Sequence, residues 1–201
     1  MEVSLHRGKG RDYFAVARRA DGVVVRLQGF AYDRGFDPPL PHDLAHFVVE
    51  DELKLGAGLW GVIAAEGLFG PQMVVAGRQR PHARERGEEV KKRAEDRLGQ
   101  AEVLVRVLSE IARAGAEHDP KVLDRIPERR RPKAISKNDV QRTCERLREA
   151  ARQWGQVPEG GTLSLIWSLD VDPTLTGSPR RTRTKTRPRS RRRATRSGRS
   201  G

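Results

Sequence analysis

Cysteine is almost missing from this chain: Cys144 is the sole thiol among 201 residues, and only 5% of the residues are aromatic. One thiol closes no internal disulfide, which excludes a disulfide-stapled scaffold and fits a reducing, cytoplasmic setting. Long apolar runs are lacking too. The longest, residues 57–65, spans nine residues with two glycines counted, about half of what crosses a bilayer, so no membrane partner is expected. The amino terminus, Met-Glu-Val-Ser-Leu-His-Arg, carries charge where a secretory leader has an apolar core, and export is not expected. Gly8-Lys9-Gly10 has neither the spacing of a nucleoside-triphosphate loop nor that of a dinucleotide fingerprint. No Gly-x-Ser-x-Gly elbow occurs, and Ser164 and Ser168 fall inside an expected strand, which argues against a serine hydrolase.

Charge is abundant and unevenly placed. The formal net charge is +13, yet residues 178–201 hold ten arginines, one lysine and no acid, so +11 belongs to this segment and +2 to residues 1–177. With 36% hydrophobic residues and a mean hydropathy of -0.71, the chain is too polar for a membrane protein and too apolar for disorder throughout. The expected organisation is one domain over residues 1–171 and a disordered, arginine-rich tail over 172–201. Prolines and like charges keep such a tail extended, and it attracts polyphosphates by counterion release. The residues expected to contact nucleic acid are Arg180, Arg181, Arg183, Lys185, Arg187, Arg189, Arg191, Arg192, Arg193, Arg196 and Arg199. Without Phe, Tyr or Trp among them, base stacking and sequence-specific readout are not indicated. Charge alone therefore favours a non-enzymatic nucleic-acid-associated protein whose body binds a further ligand or partner.

The body reads as α+β. Segments 13–17 and 23–27 are short, strand-like apolar runs that flank Ala20-Asp21-Gly22, a hairpin signal. Glycines and prolines across residues 29–41 predict an irregular loop. Pro41 fits the first turn of a helix running to about Leu55, and a second helix is expected over residues 59–68. Residues 83–114 read as helix with Gly99 as a dividing point, and residues 119–132, with three prolines, as a surface connection. Ser136 and Asp139 form a capping box for a helix that Gly155 should end. Segment 162–169 places Leu163, Leu165, Trp167 and Leu169 on one side of a strand expected to complete the amino-terminal sheet. The architecture is then a small antiparallel sheet from both chain ends, packed on three or four helices.

Chemistry concentrates in residues 40–53, which contain two of the five histidines. At about 100° per residue, His46, Glu50 and Asp43 fall about 40°, 80° and 100° from His42, a single polar stripe on an otherwise apolar helix. Two imidazoles at i and i+4 converge on one metal ion, zinc or iron, and an acid between them is placed to act as general base, here Asp43. Glu50 lies about 12 Å along the axis from His42, so it reaches an ion with His46 but hardly with both; it also suits an ordinary i,i+4 pair with Lys54. Glu66 on the following helix is the preferred third ligand, with His82 and His118 as further candidates. A metal-dependent hydrolase or lyase is thus the alternative to nucleic-acid association.

His42-Asp43-Leu44-Ala45-His46 resembles the zinc-binding His-Asp-x-x-His motif of the coenzyme Q biosynthesis proteins. That resemblance implies a third ligand, a Glu, after eleven intervening residues, where this chain has Gly58. The body as a whole also looks like small uncharacterised proteins of GC-rich bacteria, a likeness that implies no particular activity.

Overall fold

The computed structural model describes residues 1–29, 32, 33, 35–67, 69 and 72–177. Strands β1 (Glu2–Arg7), β2 (Tyr13–Arg18), β3 (Val24–Gln28), β6 (Gln72–Ala76) and β7 (Thr162–Ile166) make one antiparallel sheet in the order β6-β3-β2-β1-β7. Two residue pairs, β4 (Tyr32–Asp33) and β5 (Leu40–Pro41), form a separate small ladder within the segment expected to be irregular. The helices are α1 (His42–Glu52), α2 (Leu59–Ala64), α3 (Ala83–Ala114), α4 (Lys137–Gln156) and the short α5 (Pro173–Thr176). The fold is α+β, as the sequence pattern implies.

The hairpin between β2 and β3 forms because Gly22 takes a positive φ of 79° while Asp21 accepts from the Val23 amide at 3.1 Å. Side chains then alternate: Val3, Leu5, Tyr13, Ala15, Ala17, Val25 and Leu27 are buried beneath the helices. Pairing of Leu5 with Ala15 on one side and Leu163 on the other brings the two ends of the chain into one sheet. Helix α1 runs through the middle of the molecule, against α3 and α4. Leu44, Ala45, Phe47, Val48 and Val49 are all buried, with Phe47 edge-on to Trp60 and Trp167.

Several boundaries differ from expectation for identifiable reasons. Helix α1 stops at Glu52, short of Leu55, and Pro41 is its cap rather than its first turn. Gly99 does not divide α3; it faces the Arg130 guanidinium. Gly155 lies inside α4, which continues to Gln156, because it packs against the Pro38 ring where a side chain would collide. The Ser136–Asp139 capping box is formed at both of its hydrogen bonds, 3.2 and 2.8 Å. Residues 119–132 contain two 3-10 turns, Val122–Arg125 and Glu128–Arg130, the first of which buries Val122. Edge strand β6 lies outside the expectations above; four of its five residues are exposed.

The ordered body also runs past Asp172. Its side chain caps α5, Arg97 pairs with it at 2.7 Å, and Leu175 is buried. Residues 178–201, where the basic tail is expected, lie outside the described residues. Among the described residues no helix is long and apolar enough to cross a membrane.

The Gly155 contact gives a test with a counterintuitive sign. Alanine improves helix propensity by about 1 kcal/mol, but its Cβ would lie 2.2 Å from Pro38 Cγ. Gly155→Ala is therefore expected to lower stability in denaturant titration by about 1–3 kcal/mol, the range for overpacking. A gain in stability would contradict the packing described.

Candidate metal centre

The polar stripe of α1 is not a wet face. His46 and Glu50 have side chains 1% and 0% exposed, and each must find partners inside the protein. His46 Nδ1 lies 2.8 Å from Glu50 Oε1. The Glu50 carboxylate already accepts from the amides of Leu59 at 2.7 Å and Trp60 at 3.0 Å, at the start of α2. With both oxygens occupied as acceptors, it takes the Nδ1 proton of His46, so that Nε2 is the nitrogen left to carry either a second proton or, in the neutral ring, a lone pair. The indole N–H of Trp60 donates to the Asp43 carbonyl at 3.0 Å, tying α2 to the first turn of α1. Glu50 is therefore neither a ligand facing the same point as His42 nor a partner of Lys54, which pairs with Asp51.

On its Nε2 side, His46 meets two further groups. His42 Nε2 is 3.2 Å away, and Glu102 Oε1, delivered by α3, is 3.3 Å away. The second Glu102 oxygen lies 3.5 Å from His42 Nε2. One ligand atom from each of His42, His46 and Glu102 lies within 4.8 Å of the others. Ligands about 2.0–2.1 Å from a tetrahedral zinc ion stand about 3.3 Å apart; the two imidazoles at 3.2 Å, and His46 with Glu102 Oε1 at 3.3 Å, have that spacing, while His42 faces the other Glu102 oxygen. His42 and Glu102 are 39% and 59% exposed while His46 is sealed. The centre thus opens on one side only.

Electrostatics follow the same geometry. Burial would lower the His46 pKa, but hydrogen bonds to Glu102 and Glu50 and both of their charges outweigh it and lift it to about 10. The His42 and His46 hydrogen bonds hold the Glu102 carboxyl well below the usual carboxylate range, against its partial burial. Several acceptors converging on one point call for a cation between them, whether proton or metal.

The opening leads into a cleft of about 680 Å³, whose lining includes Tyr32, Asp33, His42, Glu102, Arg106 and Arg113. This is the size of a small-molecule site. Asp43, the expected base, is not among the residues lining this cleft; its carboxyl is raised by burial, against the charges of His46 and His42 and a hydrogen bond from Tyr13.

The third ligand is a correction. Glu66 pairs with Arg80 and with Arg86 at 3.5 Å in a separate pocket of about 290 Å³. His82 is paired with Glu85 at 3.8 Å, and His118 lies beside Gln141 at 3.3 Å. Neither joins the cluster. Glu102 was hidden in the sequence by a separation of more than fifty residues from His46. Its signal is a stripe, Glu102-Arg106-Ser109-Arg113, of polar residues at i, i+4, i+7 and i+11 in the more apolar half of α3. Cys144 is buried, its thiol pushed up to about 12 by desolvation, which suits packing and not nucleophilic attack.

Gly58 supplies the test of the inner carboxylate. A Cβ at this position would lie 2.3 Å from the Glu50 carboxyl carbon. Gly58→Ala is expected to displace Glu50 and, with all three ligands intact, to weaken zinc binding about 10- to 100-fold, as loss of an outer-shell partner does. Chelator competition measures this, and unchanged affinity would remove Glu50 from the centre. No family model matches the chain, and neither the curated proteins nor the solved structures include a significant match, so the resemblance to the coenzyme Q biosynthesis motif rests on residues 42–46.

Proposed function

We propose that the chain is a metal-dependent enzyme of hydrolase or lyase type, with one divalent ion, zinc or iron, held by His42, His46 and Glu102. The observation that carries this reading is the convergence of those ligands from two helices at the wall of an open cleft. Two histidines and one carboxylate form the donor set of catalytic zinc sites and of ferrous facial triads, both of which keep coordination positions free. A metal so held supplies Lewis acidity and activation of water. The chain's own residues supply placement: Glu50 fixes the His46 ring and its tautomer, and His42 and Glu102 face the cleft. We assign Asp43 to anchoring the first turn of α1 against Tyr13, in place of the base role expected from spacing. A cytoplasmic setting goes with the reading, since a reduced thiol and a ferrous or zinc centre are compatible there.

Elemental analysis of the purified full chain tests this directly. About one zinc or iron ion per chain is expected, with His46→Ala and Glu102→Gln each losing it. Glu102 is more than half exposed, so metal-free Glu102→Gln should still fold, with the circular dichroism of the metal-free wild type, which separates loss of metal from loss of fold. Wild-type protein without metal, even after zinc is added and excess removed, would overturn the proposal.

A second reading applies to residues 178–201, on the count of eleven cationic residues without an acid. We infer that this segment binds nucleic acid non-specifically through phosphates. Retention on duplex DNA should fall with salt by about 0.9 logarithmic units per logarithmic unit for each phosphate neutralised. A chain ending at Gly177 should lose that retention, and equal retention would move the binding to the body.

A further inference from the structure

The stripe on α3 that supplies Glu102 continues along the cleft, and its other members are cationic or polar. Arg106 follows Glu102 by about 6 Å along the helix axis, Ser109 by about 10 Å and Arg113 by about 16 Å. All four line the same cleft. We propose that this stripe is an oxyanion subsite, taking the phosphate or carboxylate group of a small substrate whose reacting end lies at the metal; the inference rests on the metal reading above and adds the class of substrate.

Three observations carry it. Ser109 is 2% exposed, and its hydroxyl has no hydrogen-bond partner among the described residues, although it belongs to the cleft lining. A buried hydroxyl left unpaired is costly, whereas alanine would fill the same space. Arg113 is held in place: its Nε donates to the Ser109 carbonyl at 3.3 Å, and its guanidinium lies 3.6 Å from Asp33 Oδ1. It passes over Gly35 so closely that a Cβ there would meet its Cδ at 2.0 Å. Glycine at 35 thus leaves room for the arginine, and Asp33, which also accepts from the Gly35 amide at 3.1 Å, fixes the turn. Arg106, by contrast, makes no hydrogen bond or ion pair among the described residues, so its fork of donors is free for a ligand.

Charge favours the same assignment. The acidic members of the lining are Asp33 and Glu102. The first is paired with Arg113, the second would be committed to the metal, and Arg106 is left without a counterion among the described residues. An anion entering the cleft would find a free guanidinium, a hydroxyl and a fixed guanidinium about one, two and three helical turns along α3 from Glu102. Arginine pairs with phosphate and carboxylate alike through two parallel hydrogen bonds, so the experiment has an arm for each.

Inorganic phosphate and, separately, acetate would be titrated calorimetrically into the zinc-loaded full chain and into Arg106→Gln/Arg113→Gln, with metal content measured on every sample. Zinc content should be equal in the two proteins, and the preferred anion should bind the variant at least about tenfold more weakly. Equal affinity of both anions for the two proteins would overturn the subsite, as would a wild type that binds neither. If the double variant fails to fold, Arg106→Gln alone decides, because Arg106 is exposed and makes no hydrogen bond or ion pair among the described residues. Absence of zinc from the wild type would count against the metal reading alone: the arginines are not ligands, and the same titration on the metal-free proteins still reads the subsite.

Discussion

An imidazole buried in a protein core requires a partner on each of its two ring nitrogens, and much of the centre of this molecule is arranged around meeting that requirement for His46. On one side stands Glu50, also buried, which itself needs donors and finds them in the first amides of α2. On the other side the ring faces His42 and Glu102. Leaving any of these polar groups unpaired in the core would cost about 1–3 kcal/mol, more for a charged one. The angle at which α2 leaves α1, the glycine at 58 and the docking of α3 against α1 are thereby parts of one arrangement.

That arrangement is also what the proposed metal reading rests on. A buried structural pair repays its desolvation only when its geometry is good and its remaining donors and acceptors are all satisfied. Here the inner partners are enclosed and the outer two are exposed, at the edge of a cleft of ligand size. Rigid inside and accessible outside is the pattern of a centre that holds an ion firmly while leaving part of its coordination sphere to something else. The continuation of the Glu102 stripe into Arg106, Ser109 and Arg113 gives that something else a chemical character.

Much of the scaffold was legible in the sequence because it depends on local rules. The Asp21-Gly22 turn, the Ser136–Asp139 capping box and the apolar alternation of Leu163 and Leu165 each specify their own element, and α3 begins and ends where its periodicity does. His42 and His46 were legible for the same reason, since i,i+4 spacing is a property of one helix. Glu102 was not, because its approach to His46 is a tertiary fact set by how α3 crosses α1. Glu50 was visible as a member of the stripe, but its role depends on the amides of α2, which no side-chain pattern encodes. Glu66, expected on the helix after α1, falls beyond the end of α2 at Ala64, in a turn with a positive φ of 71° where Arg80 and Arg86 engage it. Strand β6 escaped because an exposed edge strand lacks the inward alternation by which strands are recognised, and α5 because a four-residue helix with one buried side chain, Leu175, leaves almost no periodic signal.

The central claim is that His42, His46 and Glu102 share one ion. A crystal of the zinc-loaded full chain, with diffraction recorded at the zinc absorption edge, examines it most directly. The account predicts a single strong anomalous peak about 2.0–2.2 Å from the Nε2 atoms of His42 and His46 and from a Glu102 oxygen. No peak at that position, with the three side chains ordered around a water or around one another, would contradict it.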